Sequence, residues 1–240
     1  MAKIIRVEFS KYRRTIISWA IALSVFMTAL LGVLMAMDSG NVSLRNSMVY
    51  GLGWLNLLSL LLLALLTGMV FSGEYSQGTA RVMFTYPIAR WKLFLAKLIV
   101  LFCWTIFLFV LYLLISLVVG LVFGASLPDV SATAKAMQLI LSMPILNFAM
   151  VPITALISIR TCWYGSFTLS GAAYVVIYIT LIRSNARFFL PMTIPNVIKD
   201  YFLGSESLTS TNWICMIVSL CIIIAATTIA GLFNYRNRDV

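Results

Sequence analysis

Residues 91–123 read WKLFLAKLIVLFCWTIFLFVLYLLISLVVGLVF, and this stretch decides the fold. Its charges are Lys92 and Lys97, both near its beginning. A helix rises roughly 1.5 Å per residue, so about 20 predominantly apolar residues cover a hydrocarbon core of roughly 30 Å. The stretch is too long for one straight crossing. Its first turns, around Trp91, Lys92 and Lys97, are expected in the interface, and the crossing itself at residues 97–123. Lys97 then lies at the headgroup end, where its apolar stem lets the ammonium snorkel to water.

Working outward, five further segments have the same character: residues 15–37, 50–71, 137–159, 165–182 and 213–233. The fold class that follows is an all-α polytopic membrane protein of six transmembrane helices, forming a single transmembrane domain over residues 1–240. Composition agrees, because 62% hydrophobic and 10% charged residues exceed what a water-facing surface accommodates. The opening residues carry charges throughout and lack the apolar centre of a cleavable signal, so the first span is expected to remain.

The formal charge of +10 first suggests nucleic acid, but its location gives another reading. With the amino terminus inside, twelve of the 17 Lys and Arg residues are cytoplasmic and five (Arg45, Lys135, Arg183, Arg187 and Lys199) are outside. Basic residues in short loops stay inside, so both termini are assigned to the cytoplasm and the charge becomes a topology signal, with no nucleic-acid partner.

Three segments lie outside the spans. Residues 1–14 place Ile5, Phe9 and Tyr12 opposite Lys3, Arg6, Lys11, Arg13 and Arg14, the pattern of an amphipathic interfacial helix held to membrane lipid. Residues 72–92, SGEYSQGTARVMFTYPIARWK, form a cytoplasmic connection far longer than the few residues that usually join antiparallel helices. In it Glu74 suits the start of a short helix, Gly78 permits close backbone approach, and Pro87 ends the element. Residues 183–211 are outside yet rich in Phe188, Phe189, Leu190, Met192, Ile194, Val197 and Ile198, and are broken by Pro191 and Pro195. One or two short re-entrant helices are expected there, either a lid, with Phe188, Phe189, Pro191 and Pro195 as an outer gate, or an interfacial rest without a gating role.

What the spans omit narrows the function. No ionisable group sits at mid-membrane, as ion-coupled carriers usually require. No histidine exists, which removes Ser-His catalysis and His-dependent zinc proteolysis, and no GxSxG elbow is present. No GxxxxGK[ST] loop offers a cradle for nucleotide phosphates. Cys103, Cys162, Cys215 and Cys221 show no metal spacing and read as reduced packing residues. Catalytic, cofactor and metal residues are accordingly assigned to none. Uphill movement would need energy delivered from a separate subunit, and residues 72–92 are the one long inner connection to receive it. Polar Asn56, Ser59, Thr67, Asn147, Thr154, Ser158, Ser166, Ser170 and Tyr174 are expected to face other helices. Pro144 and Pro152 should kink the fourth span.

Residues 71–98, FSGEYSQGTARVMFTYPIARWKLFLAKL, resemble the connection between spans two and three of ABC-2 type transporter permeases. The matching positions are Glu74, Gly78, Thr79, Pro87, Arg90, Trp91, Lys97 and Leu98. The resemblance implies a permease in a bacterial cytoplasmic (inner) membrane. It also implies a second permease, itself or a paralogue, and a separate nucleotide-binding subunit that holds ATP and Mg. Glu74, Gly78, Thr79, Arg81 and Pro87 would couple to that ATPase. The length and the lack of a large outer domain look most like bacitracin-resistance and lantibiotic-immunity permeases, which implies export of a hydrophobic or amphipathic peptide antibiotic. An ATP-independent scaffold or channel-like component is the alternative, and an interfacial enzyme a third reading.

Overall fold

The computed structural model describes residues 5, 7–9, 11, 16–40, 43–76, 89–125, 130–161, 165, 167–181, 184–203 and 207–237. Among them the regular structure is helical. The long elements are α1 (Ile16–Asp38), α2 (Leu44–Ser76), α3 (Arg90–Val122), α4 (Val130–Phe148) and α5 (Met150–Arg160). A π-helical turn, Phe167–Gly171, leads into α6 (Ala172–Leu181). A 3-10 turn, Asn185–Phe188, precedes α7 (Ile194–Leu203), and α8 spans Ser210–Asn237.

Among the described residues five helical stretches are long and apolar enough to cross a membrane: 19–38, 44–73, 90–122, 131–160 and 210–235. The sixth apolar segment, Phe167–Leu181, is shorter than these. The described amino-terminal residues Ile5, Val7, Glu8, Phe9 and Lys11 are helical. That helix turns Glu8 inward, nearly fully buried, with Lys11 bound to it at 2.8 Å, while Ile5 packs on the core. Phe9 stays partly exposed and stacks on Trp104 of α3 at 5.7 Å.

Helix α2 is the axle of the bundle. Of its apolar stretch 67% is buried inside the chain, against 11% for α8 at the periphery. The Ser43 hydroxyl accepts from the Asn46 N–H at 3.3 Å and so caps the start of α2. Against α1 it crosses glycine on glycine: a Cβ on Gly32 would lie 2.8 Å from the Gly51 Cα, and one on Gly51 would lie 2.8 Å from the Thr28 carbonyl oxygen. Where lipid is the solvent, helices gain by such close approach, because the core holds no water whose release would drive them together. Tyr112 of α3 completes this crossing, its hydroxyl donating to the Met48 carbonyl at 2.6 Å.

The fourth crossing is broken at Ala149, between α4 and α5. Pro152 has no N–H to offer the carbonyl of Phe148, and Pro144 has none for that of Ile140, so the ladder weakens on both sides. Ala149 turns its N–H to the Leu146 carbonyl at 3.3 Å, which tightens the chain locally. Asn147, in the turn before the break, stays buried.

Candidate functional site: the two ends of helix α2

The carboxyl-terminal end of α2 is where three helices converge. Phe71 of α2, Phe94 of α3 and Tyr235 of α8 form a buried aromatic triad, with centroids 5.3, 5.8 and 6.2 Å apart. Gly231 lets α8 reach it, since a Cβ there would meet the Phe94 ring at 2.8 Å. Arg160 of α5 adds a bond to Asn234 of α8 at 3.1 Å.

Lys97 lies within this junction. The expectation that it snorkels to headgroups is corrected: the side chain is fully buried, its Nζ donating to the Val70 carbonyl at 2.6 Å and lying 5.4 Å over the Phe71 ring. The reason is proximity. Packing of α3 on α2 presents a carbonyl and an aromatic face within reach of the ammonium, and both stabilise a cation in a dry site.

The structure extends α2 through Ser76, so the Glu74 backbone lies in the last turn of this long helix and not at the start of a separate short one. No proline interrupts the run, and Ser72 turns its hydroxyl back to the Gly68 carbonyl at 2.7 Å instead of capping a new element. Helix α3 likewise begins at Arg90 and runs unbroken through Trp91, Lys97 and Leu98. Gly78, Thr79, Arg81 and Pro87 lie outside the described residues.

At the opposite end, α7 is fastened to the bundle by buried amides. Asn56 of α2 donates to the Asn196 Oδ1 at 3.1 Å, and Asn147 of α4 donates to the Asn56 Oδ1 at 3.4 Å. Asn147 also accepts from the Ser59 hydroxyl at 3.0 Å and donates to the Met143 carbonyl at 3.1 Å. All four side chains are buried. An amide in an apolar interior carries both donors and acceptors that must be met, so a chain of them selects one arrangement of its three helices. Thr193 locks the approach to α7 by donating to the Arg187 carbonyl at 2.7 Å, and Arg45 reaches the Phe202 carbonyl at 3.2 Å.

The four outer residues singled out from sequence divide between core and surface. Pro191 and Pro195 are buried, Phe188 packs partly buried against the core, and Phe189 is 54% exposed. Pro191 lies in the turn between the 3-10 segment and α7, while Pro195 sits in the first turn of α7, where its missing N–H costs nothing. Asn196 escaped the sequence reading. Its signal was an amide flanked by Pro195 and Val197 in a segment otherwise apolar. Asn56, Ser59 and Asn147, expected to face other helices, do so.

Among the described residues no group of His, Cys, Asp and Glu could hold a metal ion. Cys103 and Cys221 are exposed on the apolar exterior, and Cys215 is partly buried. No curated protein matches this chain. The family described as ABC-2 family transporter protein matches residues 4–181, which takes in α1 to α6 and the connection between α2 and α3. The chain is a multi-pass membrane protein, the permease component of an ABC transporter in a family that associates with an ATP-binding subunit, and it belongs to the ABC-2 transporter family.

Proposed function

We propose that the chain is a six-span permease with both termini in a bacterial cytoplasmic membrane, and that it exports a hydrophobic or amphipathic substrate of the peptide-antibiotic class. Two permeases, identical or paralogous, enclose the path. A separate nucleotide-binding subunit hydrolyses ATP and pushes on the connection after α2, through Glu74, Gly78, Thr79, Arg81 and Pro87. The observation that carries this reading is the family match over residues 4–181. It gains from the position of Glu74, one turn beyond the Val70 carbonyl that Lys97 grips. A push there reaches α3 and α8 at once, through Lys97 and the triad of Phe71, Phe94 and Tyr235.

Helix α2 then carries the movement to the outer end. From Val70 to Asn56 is roughly 21 Å at 1.5 Å per residue, and Asn56 holds α7 through Asn196. Phe188, Phe189, Pro191 and Pro195 form the outer gate in this reading. Displacement of α2 relative to α7 separates Asn56 from Asn196 and frees the segment to open, a two-state element that nucleotide binding biases.

The test uses Phe189→Cys in a background whose four native cysteines are replaced by Ala. Modification by a membrane-impermeant maleimide is followed with and without ATP in the assembled transporter. The rate should change at least fivefold with ATP, and Glu74→Lys should abolish that change while the protein remains inserted. A rate indifferent to both ATP and Glu74 supports the ATP-independent scaffold instead.

A further inference from the structure

Between the start of α3 and the end of α8 runs a groove of about 710 Å³, lined by Ala89, Arg90, Trp91, Ile229, Leu232 and Phe233. We propose that it is a binding site for one acidic phospholipid of the leaflet that faces the ATPase, with the acyl chains against α8 and the phosphate at Arg90 and Lys92.

The walls are apolar and open. Trp91, Ile229 and Phe233 each leave more than half of their surface uncovered by the chain. In lipid such walls attract nothing in particular, so shape alone does not select an occupant. The mouth does. Arg90 is part of the lining, and Lys92, outside the lining itself, holds its ammonium 5.5 Å from the ring centroid of the lining residue Trp91 by a cation–π contact. Among the described lining residues none is acidic. The N-cap of α3 is Ala89, which offers no side-chain acceptor, so the positive end of a 33-residue helix adds to the same potential.

The ligand this arrangement fits has a negative head and an apolar body. Guanidinium forms paired hydrogen bonds with phosphate oxygens, and a tryptophan at the lipid–water boundary sets the depth of the head. The floor is rigid, because Gly231 brings α8 onto Phe94 and Arg160 pins Asn234. A lipid seated here bridges α3 and α8 next to the inner junction.

The assignment to the ATPase-facing leaflet rests on the proposed orientation, whereas binding does not, and its test requires no ATP. The full chain, purified with its native partner, is stripped of lipid and titrated by native mass spectrometry with dioleoyl phosphatidylglycerol or dioleoyl phosphatidylcholine. The acidic lipid should bind one per chain, about tenfold more tightly than the zwitterionic one. Arg90→Gln with Lys92→Gln should reduce the preference to about twofold, while Arg45→Gln with Lys135→Gln should preserve it. Ile229→Trp, which narrows the groove, should weaken both lipids. Equal binding of the two lipids to the parent overturns the proposal, as does a preference that survives Arg90→Gln with Lys92→Gln. Displacement of the acidic lipid by millimolar inorganic phosphate would reassign the site to a free anion and overturn it too. Thermal midpoints of the lipid-free variants separate these outcomes from misfolding.

Discussion

The Lys97 ammonium donates to the Val70 carbonyl at 2.6 Å, joining the first turns of α3 to the last turns of α2 through a fully buried cation. A cation in such a place gains its hydrogen bond at the expense of hydration, and the two nearly cancel. Its value then lies in fixing where α3 sits on α2.

Lys97→Met separates the two roles. The thioether replaces the aliphatic volume without the charge, so the thermal stability of the inserted protein should stay within about 1.5 kcal/mol of the parent. Lys97→Ala leaves a void and should cost roughly 2–4 kcal/mol. The ATP-dependent change at Phe189→Cys should be lost in Lys97→Met although the protein is stable. Equal destabilisation by Met and Ala would show that the ammonium itself holds the junction together.

The amide chain gives a second prediction. Asn56→Ala, Asn196→Ala and the double variant form a cycle across a single 3.1 Å bond. Their effects on thermal stability should be non-additive by about 0.6–1.7 kcal/mol, the range found for polar contacts between membrane helices. Strict additivity would mean that α7 is held by its apolar face alone. Asn196→Ala should also raise the ATP-independent modification rate at Phe189→Cys, since it releases the outer segment from α2.

Two glycines of α2 should respond in opposite ways to one methyl group. On Gly51 it meets the Tyr112 hydroxyl and the Thr28 carbonyl, and backbone cannot move aside, so Gly51→Ala should destabilise by about 1–3 kcal/mol. A Cβ on Gly73 would meet none of the described residues within 4 Å outside its own stretch of helix, and Gly73→Ala should be neutral or stabilising by up to about 1 kcal/mol through helix propensity. Thermal unfolding in mild detergent distinguishes the pair, and a fall of similar size for both would contradict the close crossing.

These sites differ in how visible they are in the sequence. The long apolar helix α3 and the break between Pro144 and Pro152 are legible because each depends on local chemistry: apolar length in one case, missing N–H groups in the other. The short helix within residues 183–211 is legible for the same reason, and Pro191 and Pro195 mark its turn and the start of α7. The crossing of Gly32 on Gly51 is not, because small residues recur through all the spans and only the fold pairs these two. Asn56 and Asn196 lie 140 positions apart, and nothing near either one names the other. Burial of Lys97 was hidden by its nearness to a helix end, where snorkelling and an inward hydrogen bond are equally open to a lysine. Glu74 reads as the start of a new helix because an acid suits the positive end of a helix dipole, yet the run from Leu44 carries helix through to Ser76.

The central claim is that this permease is powered by a separate ATPase seated on the connection that follows α2. The most direct test is affinity purification of the chain from its native membranes in a mild detergent, followed by identification of the bound proteins and an ATPase assay. The account predicts one nucleotide-binding subunit per permease, with ATP hydrolysis lost when Glu74→Lys is introduced. Recovery of the intact, folded chain without any ATPase across several mild detergents would contradict it.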